Sequence, residues 1–130
     1  MIALTSHTEI PKMEKQAGAY TRFLNLVHAL RGLPSFVAMD ATEERLLNQL
    51  AVLWHEGRKV PVLEAMKMSP DASPTTVHRR LKTLRKKGLI DLLPDETDNR
   101  IRYIVPTAET ERYFAEMGQC LSKALDVVTV

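Results

Sequence analysis

The sequence predicts a mainly α-helical chain with one small β-hairpin. Three observations point there: apolar residues recur at helical spacing over most of the length, the period changes to two between Leu89 and Val105, and capping residues, prolines and glycines punctuate the segments. At 130 residues, with 45% hydrophobic and 26% charged residues, the chain has the size and make-up of one compact domain, or of a small domain with helical extensions. No apolar run approaches the roughly 18 residues that span a bilayer. The stretch from Met1 to Ile10 lacks the basic-then-apolar order of an export signal. A single cysteine, Cys120, can neither close an internal disulfide nor build a cysteine zinc site, which fits a reducing, cytoplasmic setting.

From Glu9 to Arg31, Met13, Ala17, Tyr20, Leu24 and Val27 recur at spacings of four and three, and Phe23, Leu26 and Leu30 widen the stripe. This is a long amphipathic helix, ended by Gly32 and Pro34. The run Asp40-Ala41-Thr42-Glu43 offers a side-chain acceptor to the first free amides of a second helix, with a glutamate three places on to answer it. Leu46, Leu47, Leu50, Leu53 and Trp54 give that helix one apolar face, and Gly57 closes it. Val60 to Met68 is expected to be a shorter helix with Val62, Leu63 and Met66 turned to the same core, followed by a turn at 69–73.

The next helix has the sharpest boundaries, with Ser73 at the cap, Pro74 in the first turn and Gly88 just past the end. Val77, Leu81 and Leu84 fall at i, i+4 and i+7 and pack inward, which turns Thr75, Thr76, Arg79, Lys82 and Lys86 outward, with His78 at the flank. Leu89–Leu93 and Ile101–Val105 then read as two strands around the polar turn 94–100. Pro106 and Thr107 end the hairpin, and Ala108, Phe114, Met117, Leu121, Ala124 or Leu125, and Val128 trace a last long helix.

The net charge of +2 hides a strong segregation. Between Ser73 and Leu89 stand six basic residues and no acid, so the rest of the chain is net negative. A merely solvated helix would profit from opposite charges one turn apart, and this one has none within itself. Three helices and a hairpin, the third helix short, capped and basic, follow the order of a winged helix-turn-helix. In that arrangement the third helix enters the major groove of double-stranded DNA and the hairpin, or wing, lies beside it.

The run from Ser73 to Ile90 (SPTTVHRRLKTLRKKGLI), with Asp98-Asn99-Arg100 and Val105-Pro106-Thr107 after it, resembles the multiple antibiotic resistance regulator (MarR) family of bacterial repressors. The resemblance covers residues 40–107 in motif and the flanking helices in layout, with Pro106 where the family has leucine. It implies a sequence-specific DNA-binding transcriptional regulator, a repressor acting as a homodimer, with recognition helix 73–87 in the major groove and wing 89–105 near the minor groove. The implied domains are an N-terminal dimerisation helix at 9–31, a DNA-binding domain at 40–106 and a C-terminal dimerisation helix at 107–128. The implied DNA-binding residues are Ser73, Thr75, Thr76, His78, Arg79 and Lys82 on the helix, and Asp98 and Arg100 in the wing. Asp98 is expected to fix the turn by accepting backbone amides, leaving Arg100 to project into a minor groove. The turn 67–73 is longer than the family's tight one. Asp95, Glu96 and Asp98 make the wing tip acidic, which favours the helix over the wing as the main contact.

The implied partners are a palindromic operator, a second copy of the chain and, as for many members of the family, a small-molecule effector. A protein-interaction module that uses the same fold without specific DNA binding is the alternative. Nothing in the residues suggests an enzyme. His7, His28, His55 and His78 lie on separate segments without ligand spacing, and no Walker loop, Cys-x-x-Cys or nucleophile elbow is present. No catalytic residue, cofactor or metal site is therefore assigned.

Overall fold

The computed structural model describes residues 9–129, with side chains over 10–126. His7 and the side chain of Val128 lie outside the described residues. The elements in order are α1 (Glu9–Arg31), α2 (Ala41–His55), β1 (Val60–Pro61), α3 (Val62–Ala65), α4 (Pro74–Lys86), β2 (Ile90–Pro94), β3 (Arg102–Pro106) and α5 (Ala108–Thr129). They form two compact units, one of residues 37–113 and the other of α1 with the part of α5 from Phe114 onward. Among the described residues no helix is long and apolar enough to cross a membrane.

Local chemistry sets the helix ends of the larger unit. Asp40 caps α2 by accepting the Glu43 amide at 2.8 Å, and the Glu43 carboxylate answers by accepting the Asp40 amide at 3.0 Å. Ser73 caps α4 by accepting the Thr76 amide at 3.1 Å, with Pro74 in the first helical position. Both helices end in a Schellman motif. The amides of Gly57 and Arg58 donate to the carbonyls of Trp54 and Leu53, and those of Gly88 and Leu89 to Arg85 and Leu84. The glycines adopt φ of 77° and 80°, a region that a side chain resists.

The three strands form one antiparallel sheet in the order β1-β3-β2, with Val60 opposite Ile104 and Leu92 opposite Ile104 on the other side. Each strand has a proline as its last residue, Pro61, Pro94 or Pro106, and beyond Pro94 the Asp95 amide still donates to the Ile101 carbonyl at 2.9 Å. Leu46, Leu47 and Leu50 of α2, Val60 of β1, Ala65 of α3, Val77, Leu81 and Leu84 of α4, and Leu89, Ile90 and Ile104 make up the core. The Trp54 indole N–H donates to the Ile104 carbonyl at 3.0 Å and ties α2 to the central strand.

Two expectations are corrected. Val60–Met68 is not one helix: Val60 and Pro61 pair with β3, and α3 is a single turn. Ala65 is its inward residue, and Leu63, two positions and about 200° away, is 74% exposed instead of packed. The hairpin strands also start one residue later than expected, because the Leu89 amide is used to close α4 and the Ile101 amide donates within the turn to the Asp98 carbonyl.

Thr107 and Thr110 join the start of α5 to the exit of α4. The Thr107 hydroxyl donates to the Gly88 carbonyl at 2.6 Å and accepts the Thr110 amide at 3.2 Å, while the Thr110 hydroxyl donates to the Leu89 carbonyl. In the smaller unit, Val27, Cys120 and Ala124 are buried, and the Arg22 Nε donates to the Ala124 carbonyl at 3.3 Å.

Candidate nucleic-acid interface

Burying Val77, Leu81 and Leu84 fixes which face of α4 is left uncovered. Thr75, Arg79, Lys82 and Lys86, spaced four, three and four apart, form a single exposed stripe along the outer side. Arg79, Lys82 and Lys86, with Thr83 and Arg85, line a shallow groove on that side. The other three cations of the segment are engaged from outside it. Arg80 pairs with Asp40 at 2.9 Å, Arg85 with Asp91 at 3.6 Å and Lys87 with Glu43 at 2.8 Å. The segment is acid-free in sequence, but three acids reach it in space, so half of its charge is compensated. Among the described residues Arg79, Lys82 and Lys86 make no ion pair.

At the amino end of the stripe, the Ser73 hydroxyl accepts the Thr76 amide and donates to Thr76 Oγ1 at 2.9 Å. The Ser73 proton is thereby used, and the Thr76 hydroxyl is left to donate outward. His78 is half-buried and lines a cavity of about 150 Å³ between α4 and the sheet. Val62, Leu81, Leu92 and Ile104 form apolar walls of this cavity, and Lys82, Arg85 and Arg102 also border it.

The wing is held by two aspartates. Asp95 Oδ2 accepts the amides of Thr97 and Asp98, each at 3.1 Å, and the Thr97 hydroxyl at 2.8 Å, while Oδ1 accepts the Tyr103 hydroxyl at 2.8 Å. These bonds stabilise the ionised form, Tyr103 contributing most, and lower the Asp95 pKa from 3.8 to about 2. Tyr103 shifts upward, because its hydrogen bond to Asp95 needs its proton. Asp98 accepts the Arg100 amide at 3.0 Å, as expected. It also holds the Arg100 guanidinium, with Nε at 3.1 Å and Nη2 at 3.2 Å, and this pairing lowers its pKa. Arg100 is thus docked on Asp98 and not left free, although its side chain is 90% exposed. Among the described residues no three His, Cys, Asp or Glu side chains form a group that could hold a metal ion.

The chain matches no family model and no curated protein. Solved structures do match it. A MarR-like transcriptional regulator from Thermotoga maritima is 21% identical, covering 97% of this chain and 82% of its own, with a TM-score of 0.61. A mutant of MepR from S. aureus, bound to an oligodeoxyribonucleotide, is 14% identical over 95% of this chain and 82% of its own, with a TM-score of 0.62. MepR bound to ethidium bromide is 16% identical over 95% and 81%, with a TM-score of 0.60.

The chain has the winged-helix fold of the MarR-like transcriptional regulators. In this MarR-like fold the residues singled out from sequence fall in two places. Ser73 caps α4, Thr75, Thr76, His78, Arg79 and Lys82 lie on it, and Asp98 and Arg100 share the hairpin turn. Two further residues belong with them. Arg102 of β3 borders the same cavity as His78 and Lys82, and Asp95 organises the turn. The sequence signal for Asp95 is its spacing, an aspartate two residues before Thr97 and three before Asp98, which is that of a side chain closing a turn over its own backbone.

The Asp95 network has a pH consequence. A carboxylate whose folded pKa is depressed stabilises the folded arrangement above its unfolded pKa, and that contribution is lost as pH falls through the folded value. For Asp95 the window runs from about 4 down to about 2. In the folded protein the Tyr103 ring resonances should shift as pH falls through about 2, and Asp95→Asn should remove the transition. A Tyr103 signal that ignores pH in the wild type would contradict the network.

Proposed function

We propose that the chain is a sequence-specific, double-stranded DNA-binding transcriptional regulator, a repressor working as a homodimer. In this reading α4 enters the major groove and the hairpin approaches the minor groove, so residues 40–106 form the DNA-binding domain. One observation carries it: Arg79, Lys82 and Lys86 stand on one uncovered face, unpaired among the described residues, while the remaining cations of the helix are compensated. Free cations in a row meet phosphates, and the threonines at the amino end of the same stripe reach base edges. The oligonucleotide bound to MepR, a protein of the same fold, supports the reading. The ethidium bound to MepR supports a small-molecule effector for this chain as well.

The homodimer rests on the outer terminal helices. Ile10, Met13, Ala17, Tyr20 and Leu24 recur every three or four residues along α1 and all are exposed, Met13 at 57% and Tyr20 at 62%. On α5, Leu121 and Leu125 are exposed one turn apart. A heptad-like stripe of this kind packs against another helix, and a second copy supplies one with the same spacing. Tyr20→Asp combined with Leu24→Asp should shift the protein to monomer in sedimentation and weaken duplex binding by at least tenfold. An unchanged sedimentation coefficient would contradict the assignment.

The function is tested by fluorescence anisotropy with duplexes selected from a random pool, across a salt series. Specific binding that weakens steeply with salt is expected, because each neutralised phosphate contributes about 0.9 to the slope of log K against log salt. Absence of binding to any duplex, or binding that ignores salt, would overturn the proposal. A symmetric selected site would support a palindromic operator.

A further inference from the structure

Two of the compensated cations of α4 converge on one place, the capped start of α2. Asp40 and Glu43 cap each other, and each makes a second bond. Asp40 Oδ2 pairs with Arg80 Nη1 at 2.9 Å. Glu43 accepts from Lys87 Nζ, which lies 2.8 Å from Oε2 and 3.1 Å from Oε1, and the same ammonium donates to the Ala38 carbonyl at 2.7 Å. Glu43 is 2% exposed and is the buried charged residue among the described ones. Arg80 of α4 and Lys87, which caps its carboxyl end, stand about two turns apart. A single contact would let the helix pivot, whereas two contacts so spaced restrain both its tilt and its roll.

We infer that Arg80, Lys87 and Glu43 are positioning residues that set the angle at which α4 presents Thr75, Arg79, Lys82 and Lys86, and so govern sequence discrimination without touching DNA. The inference rests on the duplex-binding reading above and deepens it. Hydrogen bonds to base edges weaken steeply with misalignment, while attraction to the phosphate backbone tolerates it. A helix released at these points keeps its charge stripe and its affinity for arbitrary duplex, but loses the register that tells one base pair from another. In composition Arg80 and Lys87 are indistinguishable from the DNA-facing cations. Their partners separate them.

Two variants test this, Arg80→Met and the double replacement Glu43→Gln with Lys87→Met. Glutamine retains the capping bond and leaves no buried carboxylate stranded. In anisotropy titrations with a selected duplex and a scrambled one, each variant should lose at least tenfold in affinity for the selected duplex and less than threefold for the scrambled one. The salt slope should stay at its wild-type value. Lys82→Ala, by contrast, should lower the slope on both duplexes. Without DNA, amide exchange at Arg85, Lys86 and Lys87 should speed up at least tenfold in the double variant while melting stays cooperative.

A slope that falls by about 0.9 for each cation removed would place Arg80 and Lys87 on phosphate and overturn the inference. An unchanged ratio of selected to scrambled affinity, or unchanged amide exchange, would overturn it too, leaving the regulator reading standing. If the wild-type protein binds no duplex at all, both fail together.

Discussion

Replacing Arg79, Lys82 and Lys86 together with alanine is expected to abolish specific duplex binding and leave the fold intact. The three side chains are exposed and make no ion pair among the described residues, so their loss breaks no salt bridge, and surface changes of this kind cost within about 0.5 kcal/mol of stability. Their cost on DNA is large because a homodimer loses the set twice. If each cation neutralises one phosphate, the salt slope falls by roughly 5, and affinity near 0.1 M salt drops by about a thousandfold or more. Arg79 adds discrimination of about 1–3 kcal/mol where it reads a guanine. Anisotropy titration with the melting temperature measured in parallel checks both halves. A triple variant that binds with wild-type affinity would remove the basis for placing α4 in the groove.

The second large effect is on stability. Leu84 is fully buried on the inward face of α4 and packs in the core shared by α2 and the sheet. Truncation to alanine removes its transfer free energy and leaves a cavity, at a cost of about 3 kcal/mol. Domains of this size are stable by roughly 5–15 kcal/mol, so such a loss should lower the melting temperature by roughly 10–20 °C. Leu63→Ala is the matched control. Leu63 has the same side chain and lies in the same unit, but at 74% exposure its truncation should change stability by less than about 0.5 kcal/mol. Urea melts of the two variants should separate clearly, and equal midpoints would contradict the assigned faces of α3 and α4.

The contrast between these two leucines shows what the sequence could and could not reveal. The ends of α2 and α4 are legible because their signals are local: Asp40 with Glu43, Ser73 with Pro74, and the glycines at 57 and 88 bond to backbone only a few residues away. The outward stripe of α4 is legible because Val77, Leu81 and Leu84 repeat over nearly the whole helix. Over Val60–Met68 the repeat is too short to choose a face, and the decision falls to Ile104 and Tyr103, more than forty residues away, which draw Val60 and Pro61 into a strand. Distance in sequence also hides the compensation of Arg80, Arg85 and Lys87, because Asp40 and Glu43 lie on another helix and Asp91 across the turn that follows α4. Counting charges within the segment therefore makes α4 look twice as available to phosphate as it is. In the wing, Asp98 and Arg100 are found where expected, but they hold each other, and the closure of the turn falls to Asp95.

In the proposed reading, burial of one face of α4 delivers the row Thr75, Arg79, Lys82 and Lys86 to a duplex groove. Nitrogen-15 NMR of the protein titrated with its selected duplex locates the contacting row, because each amide is read separately. The largest shift changes are expected at Thr75, Thr76, Arg79, Lys82 and Lys86, with smaller ones at Asp98 and Arg100 and little change at Asn48 and Val52 on the outer face of α2. Changes concentrated on α2, with the α4 stripe silent, would contradict this reading.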